Sequence, residues 1–200
     1  MRVALIADMH GNAVAFDAVL RELELERFDA VVSLGDVAQG GPQPAECIDR
    51  LRELGCRCVL GNSDEFLLTL ELGSEEVDDE RREQLVTVGR WSQQQLGDEQ
   101  LAFLGAFEPT VELDVSGSRL VCCHGSPASN EEVVLPETPR EKVEELIGRA
   151  DAVAAATSTS NGFAARAAGS GSVPVPSASS TSTRSPWTSG RSTLGPSMPS

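Results

Sequence analysis

The sequence predicts an α/β fold built around a parallel β-sheet. Short, continuous apolar runs, which are typical of strands buried on both faces, alternate with segments of helical pattern. The predicted strands cover residues 3–7, 29–34 and 56–60, and the predicted helices between them cover 13–26 and 44–54. This alternation favours right-handed crossover connections between parallel strands.

The second half of the chain predicts further helices and a hairpin. Residues 65–105 have a mostly helical pattern. Two alternating segments, 111–115 and 119–123, flank a serine-glycine-serine turn and therefore predict a β-hairpin. A helix over 139–147 and a last strand over 151–154 complete the predicted domain.

Composition and charge exclude several classes of protein. The formal net charge of −15 over 200 residues disfavours duplex nucleic acid as a partner. The five cysteines are odd in number and form no CxxC pair, which favours reduced thiols in a cytoplasm. No apolar run approaches the roughly 18 residues that a membrane span needs, and the first residues do not resemble a secretory signal. We therefore expect a soluble, cytoplasmic protein that does not enter a membrane.

The composition changes abruptly near residue 154. After Asp151 the chain contains no acidic residue and no lysine, and serine, threonine, alanine, glycine and proline dominate. Such a segment has little apolar surface to offset the entropy lost on ordering. We therefore expect a domain over 1–154 and a largely disordered tail over 155–200.

Polar clusters follow four of the predicted strands. In open parallel sheets, ligands bind in the crevice beyond the carboxyl ends of the strands, so these clusters are expected to meet. Their carboxylate, imidazole and amide groups are ligands that suit manganese, iron or zinc. The clusters are Asp8-x-His10, Gly35-Asp36, Gly61-Asn62-x-Asp64 and His124-Gly125.

Each cluster also has a purely structural alternative. Asp8 and Asn62 could cap helices, Asp36 could belong to a simple turn, and His124 could be a histidine satisfied at a strand end. Taken together these alternatives are strained, because they would put both histidines of the chain at strand ends by coincidence.

The order of these motifs resembles the calcineurin-like metallophosphoesterases. The stretches ADMHGN, LGDVAQGGPQP, LGNSDEF and CCHGSP are most similar to the small phosphodiesterase branch typified by the YfcE-like proteins. The resemblance covers about residues 1–154. It implies a four-layer α/β sandwich that hydrolyses phosphodiesters or small phosphomonoesters at a site with two divalent metal ions.

The resemblance also assigns metal ligands. Asp8 and His10 would bind the first ion, Asp36 would bridge both ions, and Asn62 and His124 would bind the second. Manganese is the expected metal, with iron, zinc or nickel as alternatives. A small phosphate ester is the expected substrate, and a homodimer is compatible with the family.

The expected catalytic residues overlap with the ligands. They are Asp36, Asn62, Asp64 and His124, with His124 stabilising charge on the phosphoryl group. Asp64 matches the last acid of its motif, and structural hydrogen bonding is an equal alternative for it. Ser63 stands where many members have a histidine or cysteine that helps the leaving group.

One family motif is missing. The family continues with Gly-His-x-His after the next strand, whereas this chain has only two histidines and continues with alanines, serines and threonines. One hypothesis is a slip of reading frame, because codons GGC-CAC-xTC-CAC read one base later encode Ala-Thr-Ser-Thr, the string at 156–159. Chance is the rival explanation, since the tail is rich in these residues.

Two other function classes remain as alternatives. The first is a catalytically impaired relative that serves as a scaffold or interaction protein, which the missing histidines favour. The second is a nucleotide-binding module. The sequence after the first strand argues against it, because an acid there would repel phosphate unless a cation intervened.

Overall fold

The first half of the molecule forms a parallel three-stranded sheet with helical crossovers. The computed structural model describes residues 1–73, 77–132, 134 and 138–156, together with the backbone of 164–167. Strands pair in the order β1-β2-β3, and both pairs are parallel, so their carboxyl ends lie at one edge. The elements of this half are β1 (Val3–Ile6), α1 (Ala13–Leu25), β2 (Ala30–Ser33), α2 (Pro44–Leu54) and β3 (Arg57–Cys58).

The second half contributes a mixed four-stranded sheet of order β4-β5-β6-β7. Its β4–β5 hairpin is closed by Ser116 and Gly117, whose φ angles of 57° and 86° give the left-handed turn that suits a two-residue hairpin loop. The remaining elements are α3 (Asn62–Thr69), α4 (Asp79–Gln94), α5 (Asp98–Leu104), β4 (Thr110–Val115), β5 (Ser118–His124), α6 (Arg140–Ile147), β6 (Ala152–Ala156) and β7 (Ala164–Ala167).

Three apolar clusters stack these elements into four layers, as the sequence predicted. One cluster packs helices against the outer face of the first sheet, and Phe16 and Ile48 lie in it. A second lies between the two sheets and includes Val32 and Cys122. The third packs α6 on the outer face of the second sheet and includes Cys123. Cys122 and Cys123 enter opposite clusters because successive strand residues point to opposite faces.

Some predicted bounds differ from the observed ones. The segment 65–105 is mostly helical, as predicted, and its helical residues are divided among α3, α4 and α5. Strand β3 spans only two residues, and beyond it Val59 donates to Ser33 O of β2 at 2.8 Å and forms a bridge with Glu108. Strand β6 continues to Ala156 alongside β5, and β7 pairs with it, so Ala155–Ala156 and 164–167 are ordered parts of the predicted tail. The rest of that tail, and its predicted disorder, lie outside the described residues.

No helix within the described ranges is long and apolar enough to cross a membrane.

Two strand-end loops approach each other closely at two glycines. A Cβ atom on Gly35 would lie 2.5 Å from the backbone nitrogen of Gly61. A Cβ atom on Gly61 would overlap Oδ1 of Asp36 and lie 2.5 Å from the Asp36 nitrogen. Only glycine leaves room for this contact, which brings the end of β2 against the start of α3.

The substitution Gly61→Ala should therefore destabilise the fold, and Gly97→Ala is its matched control. Both glycines are helix N-caps with nearly equal dihedral angles, φ −81° and ψ 163° for Gly61 and φ −82° and ψ 165° for Gly97. A Cβ atom on Gly97 meets nothing closer than Oε1 of Gln100 at 3.9 Å. We expect Gly61→Ala to lower the free energy of unfolding by about 1–3 kcal/mol more than Gly97→Ala, measured by urea denaturation. Equal losses would contradict the packing argument.

Candidate metal centre

The backbone at the ends of β1 and β2 is held in an unusual conformation. Asp8, His10 and Asp36 have φ angles of 57°, 44° and 57°, in the left-handed region that side chains rarely adopt. The two loops fix each other, because the N–H of Asp8 donates to Gly35 O at 3.1 Å and that of His10 donates to Asp36 O at 2.9 Å. Backbone strain that neighbouring structure over-determines is typical of functional sites.

These loops bring three candidate ligands together. One ligand atom from each of Asp8, His10 and Asp36 lies within 4.8 Å of the others. His10 Nε2 is 3.5 Å from Asp36 Oδ2 and 3.9 Å from Asp8 Oδ1. These separations exceed those of hydrogen bonds, so the three atoms surround a common point without bonding one another.

Strand β5 adds a second imidazole on the other side of Asp36. His124 is the last residue of β5, and its side chain is fully buried. Its Nε2 lies 3.6 Å from Asp36 Oδ2. One carboxylate oxygen of Asp36 therefore faces both histidines of the chain.

Backbone carbonyls determine which nitrogen carries the proton in the neutral form of each imidazole ring. His10 Nδ1 lies 3.0 Å from Gln39 O, and His124 Nδ1 lies 2.8 Å from Leu34 O. A carbonyl oxygen only accepts hydrogen bonds, so each Nδ1 carries a proton and donates it. In the neutral rings Nε2 then presents a lone pair towards Asp36. Metal-binding histidines are commonly oriented in this way.

Buried acceptors without partners support the same interpretation. Among the described residues, the buried side-chain atoms that lack a hydrogen-bond partner include Asp8 Oδ1, Asn62 Oδ1 and His124 Nε2. Leaving buried polar atoms unpaired costs free energy. A cation would satisfy buried acceptors that lack a donor, and this mixture of oxygen and nitrogen groups suits a divalent transition metal. The residues present therefore fit such an ion.

The structural alternatives do not account for Asp8, Asn62 and His124. Asn12 is the N-cap of α1, and its Oδ1 accepts from Ala15 N–H, so Asp8 does not cap this helix. Gly61 is the N-cap of α3, and the amide oxygen of Asn62 has no partner there. His124 is satisfied only at Nδ1.

Asp64 lies outside the ligand cluster. Its carboxylate accepts the backbone N–H groups of Asp36 at 2.8 Å, Val37 at 2.9 Å and Gly61 at 3.2 Å. Three backbone donors occupy both oxygens of this fully buried group. This geometry favours the hydrogen-bonding alternative that the sequence left open for Asp64.

Burial and like charge raise the pKa values of two acids here. Removal from water raises the pKa of Asp8, and the neighbouring Asp36 raises it further. The same two causes raise the pKa of Asp64 to about 7, although its backbone donors oppose the shift. Crowded carboxylates repel one another in a buried site, and a bound cation would relieve that repulsion.

The sequence does not reveal the groups that orient the candidate ligands. The carbonyls of Gln39 and Leu34 are backbone atoms, which carry no sequence signal. Ser63 donates two hydrogen bonds to Asp36, a contact that only the folded approach of α3 to β2 creates.

Comparison with known proteins identifies relatives of this chain. The uncharacterized protein MJ0912 of Methanocaldococcus jannaschii is 29% identical over 125 residues, which cover 62% of this chain and 49% of that protein. A metallophosphoesterase crystal structure from Sphaerobacter thermophilus matches with 31% identity and a TM-score of 0.52, over 68% of this chain and 51% of that one. The chain thus spans about half the length of these two relatives.

A third comparison concerns the fold alone. The hypothetical protein PH1004 of Pyrococcus horikoshii matches with a TM-score of 0.61 at 20% identity, over 72% of this chain and 63% of that one. The family model described as calcineurin-like phosphoesterase matches residues 1–157, which contain every candidate ligand described above. The chain therefore belongs to the calcineurin-like phosphoesterase family.

Proposed function

We propose that this protein hydrolyses small phosphate esters, either phosphodiesters or phosphomonoesters, with two divalent metal ions. Asp8, His10 and Asp36 would hold the first ion, and Asp36, Asn62 and His124 would hold the second. The carrying observation is that Asp36 Oδ2 faces His10 Nε2 at 3.5 Å and His124 Nε2 at 3.6 Å. A carboxylate between two imidazoles, each with its lone pair free, is suited to bridge two ions.

The protein's contribution is to orient and shield the ligands. Gln39 and Leu34 hold the two imidazoles through their carbonyls, so neither ring must reorganise when an ion binds. Complete burial of Asp36 and His124 excludes water from the inner side of the site. When bound, two divalent ions supply an activated water at neutral pH and neutralise charge on the phosphoryl oxygens.

Manganese is the metal that we propose. A cytoplasmic location and a homodimer remain predictions.

The second candidate is a scaffold that binds metal without turnover. It is favoured by the sequence after β6, which supplies no histidine. Strand β6 pairs His124 with Ala156, so the chain leaves β6 beside the candidate site. An ion there would keep fewer nitrogen ligands than in the family pattern, which would weaken its binding.

Manganese-dependent hydrolysis of bis(4-nitrophenyl) phosphate and 4-nitrophenyl phosphate separates the two candidates. We expect turnover that Asp36→Asn lowers by at least about 100-fold, because loss of a ligand should exceed the 10–100-fold effect of its supporting partners. Asp98→Asn, a change of the same kind at an exposed position of α5, should leave the rate unchanged. Equal rates for the two variants would contradict the proposed site.

A gain-of-function variant tests the missing motif. The double substitution Thr157→His/Thr159→His supplies two imidazoles where the family pattern has them, and we expect it to increase the hydrolysis rate. Turnover only in the double variant would identify the present chain as the scaffold. No increase in a folded double variant would show that histidines at these two positions do not supply the missing ligands.

Manganese affinity should fall as the pH is lowered. Asp8 must be ionised to bind a cation, and burial together with Asp36 raises its pKa above the ordinary value. The protonated form therefore persists to higher pH than usual, and it competes with the metal. We expect the Kd, measured by titration calorimetry, to increase as the pH is lowered from about pH 7.5 to about pH 5.5. A Kd that is independent of pH would contradict a carboxylate ligand with a raised pKa.

A further inference from the structure

Ser63 holds the carboxylate of Asp36 at both of its oxygens. The backbone N–H of Ser63 donates to Oδ1 at 3.0 Å, and its hydroxyl donates to Oδ2 at 3.0 Å. Asp36 is completely buried, whereas Ser63 is half-buried in the first turn of α3. A single residue thus supplies two hydrogen bonds to the proposed bridging ligand.

These two hydrogen bonds determine the orientation of the carboxylate. An ionised carboxylate offers about four lone-pair positions, two on each oxygen. Donors at both oxygens from one neighbour prevent rotation about the Cβ–Cγ bond and use one position on each oxygen. Oδ2, which receives the hydroxyl, is also the oxygen that faces His10 and His124. The bond to Ser63 therefore directs the free lone pairs of Oδ2 towards the imidazoles.

The backbone of Asp36 is held separately. Asp64 accepts the N–H of Asp36 at 2.8 Å, while Ser63 binds only the side chain. Removal of the Ser63 hydroxyl would leave the backbone contact and the Ser63 N–H bond to Oδ1 in place. Removal of the Ser63 hydroxyl should therefore affect only the rotational freedom of the Asp36 carboxylate.

We infer that Ser63 is a positioning residue of the metal site, whose hydroxyl holds Asp36 in the orientation that bridges two ions. This inference depends on the proposed function, in which Asp36 is the shared ligand. The hydroxyl proton is engaged by Asp36, so Ser63 acts through this carboxylate rather than on a substrate.

A purely structural role predicts a different outcome. If the contact only stabilises the start of α3, removal of the hydroxyl lowers the melting temperature and leaves the manganese affinity of the folded protein unchanged. If it positions Asp36, the affinity falls, and a variant that keeps a hydroxyl at this position restores it.

The test compares Ser63→Ala with Ser63→Thr by titration calorimetry with manganese. Thr69→Ala is the control, since it removes a hydroxyl that bonds only the backbone at the far end of the same helix. We expect Ser63→Ala to raise the manganese Kd by about 10–100-fold, which is typical for partners that orient metal ligands. Ser63→Thr and Thr69→Ala should bind like the unmodified chain. Excess manganese should restore the hydrolysis rate of Ser63→Ala.

The other outcomes contradict either the inference about Ser63 or the proposed function on which it depends. The positioning role is contradicted if folded Ser63→Ala has an unchanged manganese Kd, or if Ser63→Thr does not restore the affinity that Ser63→Ala loses. In both cases the proposed function still stands if Asp36→Asn abolishes manganese binding. Manganese binding that survives Asp36→Asn contradicts the proposed function itself. Circular dichroism would show whether Ser63→Ala folds. If it does not fold, the test is the manganese Kd of Ser63→Thr, and weaker binding by that variant contradicts the role of the hydroxyl.

Discussion

The buried carboxylate of Asp64 connects the two loops on which the site depends. It accepts backbone N–H groups from Asp36 and Val37 after β2 and from Gly61 before α3. An unpaired charge in this position would be costly to bury, and hydrogen bonds to an ionised group are the strong ones that offset the cost. Because three donors in two loops share one acceptor, neither loop can move without breaking bonds of the other. The close approach of Gly35 to Gly61 holds the same two loops together by steric packing.

This constraint places negative and electron-rich groups together before any ion arrives. Asp8 and Asp36 lie together with two imidazoles, and burial together with the charge of Asp36 raises the pKa of Asp8. Protein structures tolerate such arrangements where binding of a ligand repays them. An ion that binds only the folded state also adds to its stability, so the metal and the fold should support each other.

The sequence predicted the candidate ligands more completely than the groups that support them. Asp8, His10 and Asp36 were expected to meet because parallel strands end at a common edge, and the motif order then identified the family and added His124. The sequence left Asp64 with two possible roles, catalysis or structural hydrogen bonding. No sequence pattern shows that its oxygens accept backbone N–H groups from a loop 27 residues away. The carbonyls that orient the histidines were invisible for the same reason. The last predicted strand ended too early, because pairing with β5 extends β6 through positions 155 and 156 despite the poor strand propensity of alanine.

The most direct test of the account is a crystal structure of the protein grown with manganese, with anomalous diffraction recorded near the manganese absorption edge. The account predicts one anomalous peak in contact with Asp8, His10 and Asp36, and a second in contact with Asp36, Asn62 and His124. A single peak at the first position would support the cluster and contradict the bridging role of Asp36. Absence of manganese from both positions, with the side chains arranged as described, would contradict the central claim that this cluster of acceptors is a metal site.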